Sequence, residues 1–583
     1  MKTILYQSLG SIVLMICCLS LSARGHTAAD MGEIFTSITQ DELSVRGKVT
    51  EQQSGEPLPG VNVIVKGTST GTVTDISGNY SINVPNEDDI LVFSSIGFVM
   101  QEVPVNGRNT LDIAMAEDVQ SLEEIVVVGY GTQKRRDVTG AVASVEMENI
   151  RDLPMQGIDQ AMAGQIAGVR AQQTTGTPGG GINVQIRGTG SISAGGQPLY
   201  VVDGFPISHS YSQQTNPLAA LDPNDIESIE VLKDASASAI YGSRGANGVV
   251  IITTKTGKTG KPTIELDYYT GLQEVQRRVE HMDPIPFTEM LVAARNNSYL
   301  QAGGNSADDP NEDRLIDGAG DYFDNYLIPE LYSDFLANPD QYNLTDWQDH
   351  IFRTAPVNNM NLSISGGSEN TRYFVSGSYF NQQGVVIESG FDRFSLRANV
   401  ETDVTDRVTI GVNLNPTFTR HDIVNAEGPP WGNTIIMNAL TIMPFIPAYN
   451  EDGSYGDQLT FGLGTAGQAN PIAVAKEIDN EQHRLRLLSN VFGEVAITDN
   501  LSFRTSVGTD LSMVRQSQFF SGVVRRNMQP SSGFAENMQR VNILNENTLT
   551  YTRNFNEEHA VNAVLGFTNQ YEYIESSRIE AIR

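Results

Sequence analysis

The 583-residue sequence predicts a mainly β protein: a small N-terminal β-sandwich, an α+β unit behind it, and then antiparallel strands patterned for a transmembrane β-barrel. Three observations carry that prediction. Alternating apolar residues fill Leu43 to Met115 in short runs, with turn signals about every 8–12 residues, the spacing of a small sandwich. Short strands and helical pieces separated by glycines fill residues 133–257. From about Pro262 onward, runs of about ten residues alternate apolar and polar, joined in turn by short links and long intervals, which is how a membrane barrel reads.

Composition sets the outer limits. The chain has 38 Lys and Arg against 69 Asp and Glu, a formal net charge of −31. That sign repels phosphate backbones and argues against nucleic acid, while keeping a large polar surface soluble. Met1 and Lys2, an apolar core from Ile12 to Leu21 and the small polar stretch Ser22–Asp30 have the layout of a secretory signal peptide over residues 1–29. Its apolar core is too short to span a bilayer. The two cysteines, Cys17 and Cys18, lie inside it, so the mature chain has neither a disulfide framework nor a Cys-based zinc site. Bulky Ile16 before Cys17 argues against lipidation. No later run reaches the roughly 18 apolar residues of a membrane helix, so an exported chain rich in short strands is either soluble or a barrel.

In the first unit, residues 43–116, the inward set is Val45, Gly47, Val49, then Val61, Val63, Val65, then Tyr80, Ile82, Val84, then Leu91 and Phe93. Turns fall at Ser54-Gly55, Pro59-Gly60, Ser77-Gly78-Asn79 and Pro85-Asn86. Asp75 sits in such a turn, where Asp commonly caps its own backbone. The blocks Gly47-Lys48-Val49, Pro59-Gly60-Val61-Asn62-Val63 and Thr74-Asp75-Ile76-Ser77-Gly78-Asn79-Tyr80 resemble the carboxypeptidase-regulatory-like domain.

Next, within residues 121–134, comes Glu123-Glu124-Ile125-Val126-Val127-Val128-Gly129-Tyr130. It reads as a strand between two folded units, and an unpaired Ile-Val-Val-Val edge is an aggregation hazard unless a partner is meant to pair with it. Main-chain pairing with a partner's sheet edge is β-augmentation.

The third unit, residues 135–258, opens with Ile158, Met162, Ile166 and Val169 on one face of a helix. Gly188, Gly190, Gly195 and Gly196 then surround Arg187 and the strand Leu199–Val202 with its turn Asp203-Gly204. Asp222-Pro223-Asn224-Asp225 is a helix-start signal. A strand Ile229–Leu232, a helical piece Ala235–Tyr241, the stretch Gly242–Gly248 and a strand Val249–Ile252 follow.

In residues 259–583, Leu362, Ile364, Tyr373, Val375, Phe391, Phe394, Leu396 and Ala398 alternate with polar Asn361, Ser363, Ser365, Arg397 and Asn399. Similar runs occupy Val408–Phe418, with Asn413 on its polar face, Leu487–Ile497, with Glu494, and Leu501–Leu511 and Ala560–Phe567. Long intervals such as Arg277–Asp349 are the expected extracellular loops. Trp347 and Trp431 suit either an interfacial aromatic girdle or stacking on sugar rings.

Catalytic and cofactor constellations find little support. The glycines at 176–181 and 188–196 lack the Gly-Lys-Ser/Thr ending of a phosphate loop. Asp309-Pro310-Asn311-Glu312-Asp313 has the spacing of the first calcium-loop ligands, but Arg314 stands at the sixth position and Gly320 at the twelfth. The seven histidines form no metal-binding pair, and no nucleophile elbow or acid/base carboxylate pair stands out. No cofactor, no metal and no enzyme activity are expected.

Several blocks in order carry a second resemblance. Val184-Gln185-Ile186-Arg187-Gly188, Tyr200-Val201-Val202-Asp203-Gly204, Asp225–Asp234 and Ala239-Ile240-Tyr241-Gly242-Ser243-Arg244-Gly245-Ala246-Asn247-Gly248 resemble the plug domain of TonB-dependent receptors. Glu123–Tyr130 looks like the TonB box of the SusC/RagA family, and Asp346–Pro356 and Pro447–Tyr455 are similar to later blocks of that family. The resemblance implies a 22-stranded outer-membrane barrel around a plug, importing a glycan or an oligopeptide. Its implied partners are TonB, a SusD-like surface lipoprotein and the outer-membrane lipids. The implied plug-motif residues are Arg187, Gly188, Asp203, Gly204, Tyr241, Gly242, Arg244 and Gly245. Only about 320 residues follow the plug, short of closure, so the chain is expected to be part of a longer product. A surface receptor or adhesin that binds without import stays open as the alternative, and so does an exported β enzyme.

Overall fold

The computed structural model describes residues 43–582 apart from 53, 67, 69, 87–88, 96–97, 99, 117–124, 129–130, 135–141, 148–156, 174, 189–195, 208–216, 235–237, 302–304, 315–325, 429–433, 457–468, 525–529 and 556–558. The expected signal peptide lies outside these residues, as do Glu123, Glu124, Gly129, Tyr130, Gly190, Gly195 and Trp431. The chain divides into two units, one ending at Glu124 and one running from Ile125 to Arg583.

The first unit is a sandwich. Its strands are β1 (Leu43–Glu51), β2 (Asn62–Val65), β3 (Gly71–Val73), β4 (Asn79–Val84), β5 (Ile90–Ser94), β6 (Gln101–Pro104) and β7 (Ile113–Met115). They form two sheets, β4-β1-β7 and β3-β2-β5-β6, with β1 and β7 parallel and the other pairs antiparallel. The alternating valines, with Tyr80, Ile82, Leu91 and Phe93, fill the space between them. Asp75 does what its turn position suggests: its Oδ1 accepts from Ser77 N at 2.9 Å and Asn79 N at 2.8 Å. The Asn79 bond is the leading reason its carboxyl is held below the ordinary Asp value.

The second unit begins with β8 (Ile125–Val128) and β9 (Gly131–Lys134), a separate two-stranded antiparallel pair. Then come β10 (Val142–Glu146), β11 (Val169–Gln173), β12 (Ile182–Ile186), β13 (Leu199–Val202), β14 (Phe205–Pro206), β15 (Ile226–Leu232) and β16 (Val249–Thr254). Five of these form a mixed sheet in the order β10-β15-β16-β13-β14, and β11 and β12 form a hairpin. Tyr200, Val202, Val250 and Ile252 pack on one face and Leu199, Val201, Val249 and Ile251 on the other. Burial on both faces is why these strands read as unbroken apolar runs rather than alternations.

The helix expected from Ile158 to Val169 is only one turn, Ile158–Ala161, and Val169 instead opens β11. Gly164 and Gly168 adopt φ of +73° and +82°, left-handed values that end a helix. Ile158, Met162 and Ile166 are still buried together, so the apolar face survives without the helix. Pro223–Asp225 and Ala239–Gly245 are likewise short 3₁₀ turns.

The remaining strands form one wall: β17 (Gly260–Gln273), β18 (Ala355–Gly367), β19 (Thr371–Gln383), β20 (Gly390–Thr405), β21 (Val408–Asp422), β22 (Ile478–Thr498), β23 (Leu501–Phe520), β24 (Ser532–Phe555) and β25 (His559–Ile582). Neighbours in sequence are neighbours in the sheet and all pairs are antiparallel. These nine strands do not close into a barrel; β17 and β25 are the edges. At one end the strands are joined by short turns at 368–370, 406–407 and 499–500, at the other by long segments including 274–354 and 423–477.

The alternation holds with one correction. Leu362, Ile364, Val375, Phe394 and Leu396 point outward and are exposed, whereas Asn361, Ser363, Arg397 and Asn399 are buried on the inner side. Phe391 is out of phase with Phe394 and lies inside, edge-on to His421. The strands also run well past the expected segments. β22 starts at Ile478 rather than Leu487, and β24 and β25 have 24 residues each. Outward apolar residues such as Leu485, Val491, Val495 and Ile497 give way at the loop end to Glu481 and His483, and Arg420 on β21 reaches Glu481 at 2.7 Å. Beyond the apolar band the outer face mixes polar residues with exposed Phe519 and Ile579, and no alternation persists.

The described parts of the long segments are folded. Helices Pro284–Gln301, Glu330–Ala337, Trp347–Ile351, Ile435–Thr441 and Pro471–Glu477 come from two of them. The last four share a core containing Tyr332, Phe335, Trp347, Ile435, Phe445 and Ile472. Trp347 is 2 % exposed, and its Nε1 donates to Met443 O at 3.1 Å. It therefore belongs neither to a lipid-facing girdle nor to an open stacking surface.

Candidate functional site

The α+β domain sits against the inner face of the wall, and the contact is chiefly polar. Asp203 follows β13 with φ of +48°, and Gly204 after it has φ of +84°. The Asp203 carboxylate accepts from Thr254 N at 3.0 Å and from Thr254 Oγ1 at 2.8 and 2.9 Å, then meets Arg397 of β20 at 2.6 Å. Asn399 of the same strand donates to Lys255 O at 2.7 Å. One carboxylate thus closes the domain's own turn and ties it to the wall.

A second contact lies closer to the loop end. Arg393 of β20 donates to Leu221 O at 3.0 Å and pairs with Asp222 at 3.1 Å, both side chains essentially without solvent exposure. Asp222 also caps the Pro223–Asp225 turn, accepting from Asn224 N at 2.8 Å. Ser376 of β19 donates to Asp225 at 2.6 Å, and Thr417 of β21 to Ala220 O at 2.9 Å. Further round the wall, Leu488 and Leu544 join the domain's apolar core, and a Cβ at Gly508 would overlap the ring of Phe205. Only a residue without a side chain allows β14 to lie this close to β23.

Burial, and next the neighbouring Asp222 charge, push the Asp225 carboxyl up from 3.8 to about 6. A raised acid pKa means that the docked state binds the extra proton between these two values. Stability is therefore gained as pH falls from about 7 through 6 toward 4, by on the order of 2 kcal/mol. Denaturant titration of detergent-purified protein at pH 7.5 and pH 5 is expected to show this gain, and Asp225→Asn to remove it.

The eight plug-motif residues do not converge on one centre. Arg187 (φ +56°) pairs with Asp234 and donates to Lys233 O at 3.4 Å, tying the end of β12 to that of β15. Arg187, Gly188, Gly242 and Gly245 line one concavity, with Lys233 and Asn247. Tyr241 packs beside the Leu199–Val249 face, and Arg244 reaches Gln570 of β25 at 2.7 Å. Asp203 and Gly204 belong to the contact with the wall. Sequence reading missed Arg393, Ser376, Arg486 and Asp510, although an arginine in phase with inward Ser395 and Arg397 was a visible signal.

The acidic loop at Asp309–Asp313 is organised by its own arginine. Arg314 is 4 % exposed, lies 5.0 Å from the Tyr299 ring centroid and donates to Asn296 Oδ1 at 2.6 Å and Ala307 O at 2.8 Å. The guanidinium stands within the loop, where a bound cation would be expected. Among the described residues no group of three or more His, Cys, Asp or Glu is placed to hold a metal.

Of the residues expected to form a TonB box, Ile125–Val128 form β8, paired antiparallel with Gly131–Lys134. The segment is a strand, as its sequence suggests, and one edge of it is taken by the residues that follow.

Comparison with known proteins gives the same parts in the same order. Residues 45–127 match the CarboxypepD_reg-like domain and residues 134–249 the TonB-dependent receptor plug domain. TonB-dependent receptor P3 of Formosa agariphila is 36% identical over 547 residues, covering 91% of this chain and 48% of its own. TonB-dependent receptor SusC of Bacteroides thetaiotaomicron is 34% identical over 456 residues, 75% of this chain and 40% of its own. Among solved structures, the RagAB peptide importer in its open-open state is similar at 27% identity and a TM-score of 0.63, over 79% of this chain and 50% of that one. The chain spans about half the length of these relatives. By its domains, its wall of strands and these likenesses, the chain is a homologue of TonB-dependent receptors, SusC among them, with the RagAB importer as a structural neighbour.

Proposed function

We propose that this chain serves TonB-dependent import of a large nutrient, a glycan or an oligopeptide, across the outer membrane, working with a SusD-like surface lipoprotein. The observation that carries the reading is the separate pair β8–β9 at the head of a domain seated on the inner face of a membrane-patterned wall. An isolated two-stranded pair is marginal in water, so Ile125–Val128 can exchange its local partner for another sheet edge at little cost. TonB supplies that edge from the periplasm, and the pull is transmitted to the plug through residues 135–141. The polar latches at Asp203–Arg397 and Asp222–Arg393 resist the pull until it exceeds them. Glu123, Glu124, Gly129 and Tyr130 complete the proposed box. The relatives are receptors rather than enzymes, and in this reading no step needs a catalytic group or cofactor.

The test is Val127→Pro in the full-length protein, which removes a backbone donor from the middle of β8. Uptake of labelled cargo is expected to fall to the level of cells lacking TonB, with cargo binding at the surface unchanged. Uptake that survives the substitution overturns the box assignment. Binding without uptake by the unaltered protein favours the surface receptor or adhesin instead.

A further inference from the structure

The inner face of the wall carries positive charge that the plug does not use. Leu488, Gly508 and Leu544 meet the plug. One and two inward positions toward the loop end stand three guanidinium groups: Arg484 and Arg486 on β22 and Arg540 on β24. Register puts Arg486 opposite Ser512 and Ser512 opposite Arg540, so the two arginines are two strands, or about 10 Å, apart.

Their charges are unequally met. Arg486 is held by Asp510 through two bonds of 2.9 and 2.8 Å. Arg540 comes no nearer to Glu572 than 3.9 Å, and its buried Nε has no hydrogen-bond partner. The Arg484 Nε is also buried and unpartnered, and a terminal nitrogen reaches only Gln482 Oε1, at 3.5 Å. Buried N–H donors without acceptors are costly, and a pair of them on the inner face of the wall is matched by a ligand that supplies oxygen lone pairs.

We propose that Arg484 and Arg540, flanked by the neutralised Arg486, bind a carboxylate of the cargo just above the plug, and that the cargo is an acidic oligopeptide. This rests on the import reading above. Two features favour a peptide over an acidic glycan. The rows Arg484–Val514–Met538–Ser576 and Arg486–Ser512–Arg540–Ile574 hold no aromatic ring for a sugar face. They are flanked by the Gln482 amide, which can pair with peptide groups. In a chain of net charge −31, an arginine cluster is also where an acidic ligand is drawn.

The test is equilibrium binding of labelled octapeptides to the full-length protein in detergent, comparing Asp/Glu-bearing sequences with their Asn/Gln counterparts, and with an oligouronate. The acidic peptide is expected to bind about tenfold more tightly than its amide counterpart, an advantage that shrinks with added salt and disappears in R484Q/R540Q. R484K/R540K, which keeps the charge, is expected to retain much of it. Equal binding of acidic and amide peptides to the unaltered protein overturns the site while leaving import intact. Tight binding of the oligouronate alone, lost in R484Q/R540Q, overturns the peptide assignment. Absence of binding by every probe, together with absence of TonB-dependent uptake in cells, overturns both the site and the import reading. Should R484Q/R540Q fail to assemble, the peptide and salt series on the unaltered protein decides alone.

Discussion

Replacing Arg393 by Met is expected to cost the docking of the plug on the wall about 3–5 kcal/mol, the range for removing one partner of a buried ion pair. Asp222 has no exposure and loses its counter-charge, while Leu221 O loses a donor 3.0 Å away. Asp225, close to Asp222, becomes harder still to ionise. Limited proteolysis of the purified full-length protein reads the result: cleavage within residues 135–258 should rise strongly, while the barrel stays resistant. The companion variant Arg393→Met/Asp222→Asn removes both charges and is expected to recover part of the loss, because an uncompensated buried carboxylate costs more than a missing pair. If the single variant's plug is as resistant as the parent's, the Asp222–Arg393 contact does not hold it.

Trp347→Ala is expected to loosen the helices of the long segments by about 3–5 kcal/mol, the cost of emptying a large aromatic from a packed core. The indole is buried among Tyr332, Phe335, Ile435 and Phe445, and its N–H is spent on Met443 O. Hydrogen exchange of residues 330–351 and 435–477 should accelerate together, since the segments share that core. Insertion into the membrane should be unaffected. A variant that inserts poorly but keeps slow exchange in these helices would instead return Trp347 to the lipid girdle.

Local pattern made the backbone legible where one rule governs. Val45, Val63, Ile82 and Phe93 alternate because one side of each sandwich strand is wet. Leu199–Val202 and Val249–Ile252 run apolar without a break because both sides are covered. The barrel segments Val408–Phe418 and Leu487–Ile497 were visible because lipid imposes an apolar outer face, and invisible past Arg420 and toward Glu481 because water imposes nothing periodic. The helix face at Ile158–Ile166 misled because the same spacing serves a chain that Gly164 and Gly168 turn aside. Asp222 was legible as a cap and not as the partner of Arg393, which lies 171 positions away. Contacts between plug and wall are set by how distant strands and turns come together, and no window of sequence contains that. Trp347 shows the same limit: its core is assembled from two separate loops.

The length of the strands bears on how cargo first meets the protein. A strand of about 10 residues crosses the hydrocarbon layer, yet β24 has 24, and its outer face turns polar toward Ser532. With a tilt near 40° and about 3.3 Å per residue, the polar stretch Ser532–Gln539 raises a hydrogen-bonded rim on the order of 20 Å above the lipid. That is about twice the distance over which physiological salt screens a fixed charge. An anion arriving at the mouth would therefore feel little of the negative potential of the membrane beneath it.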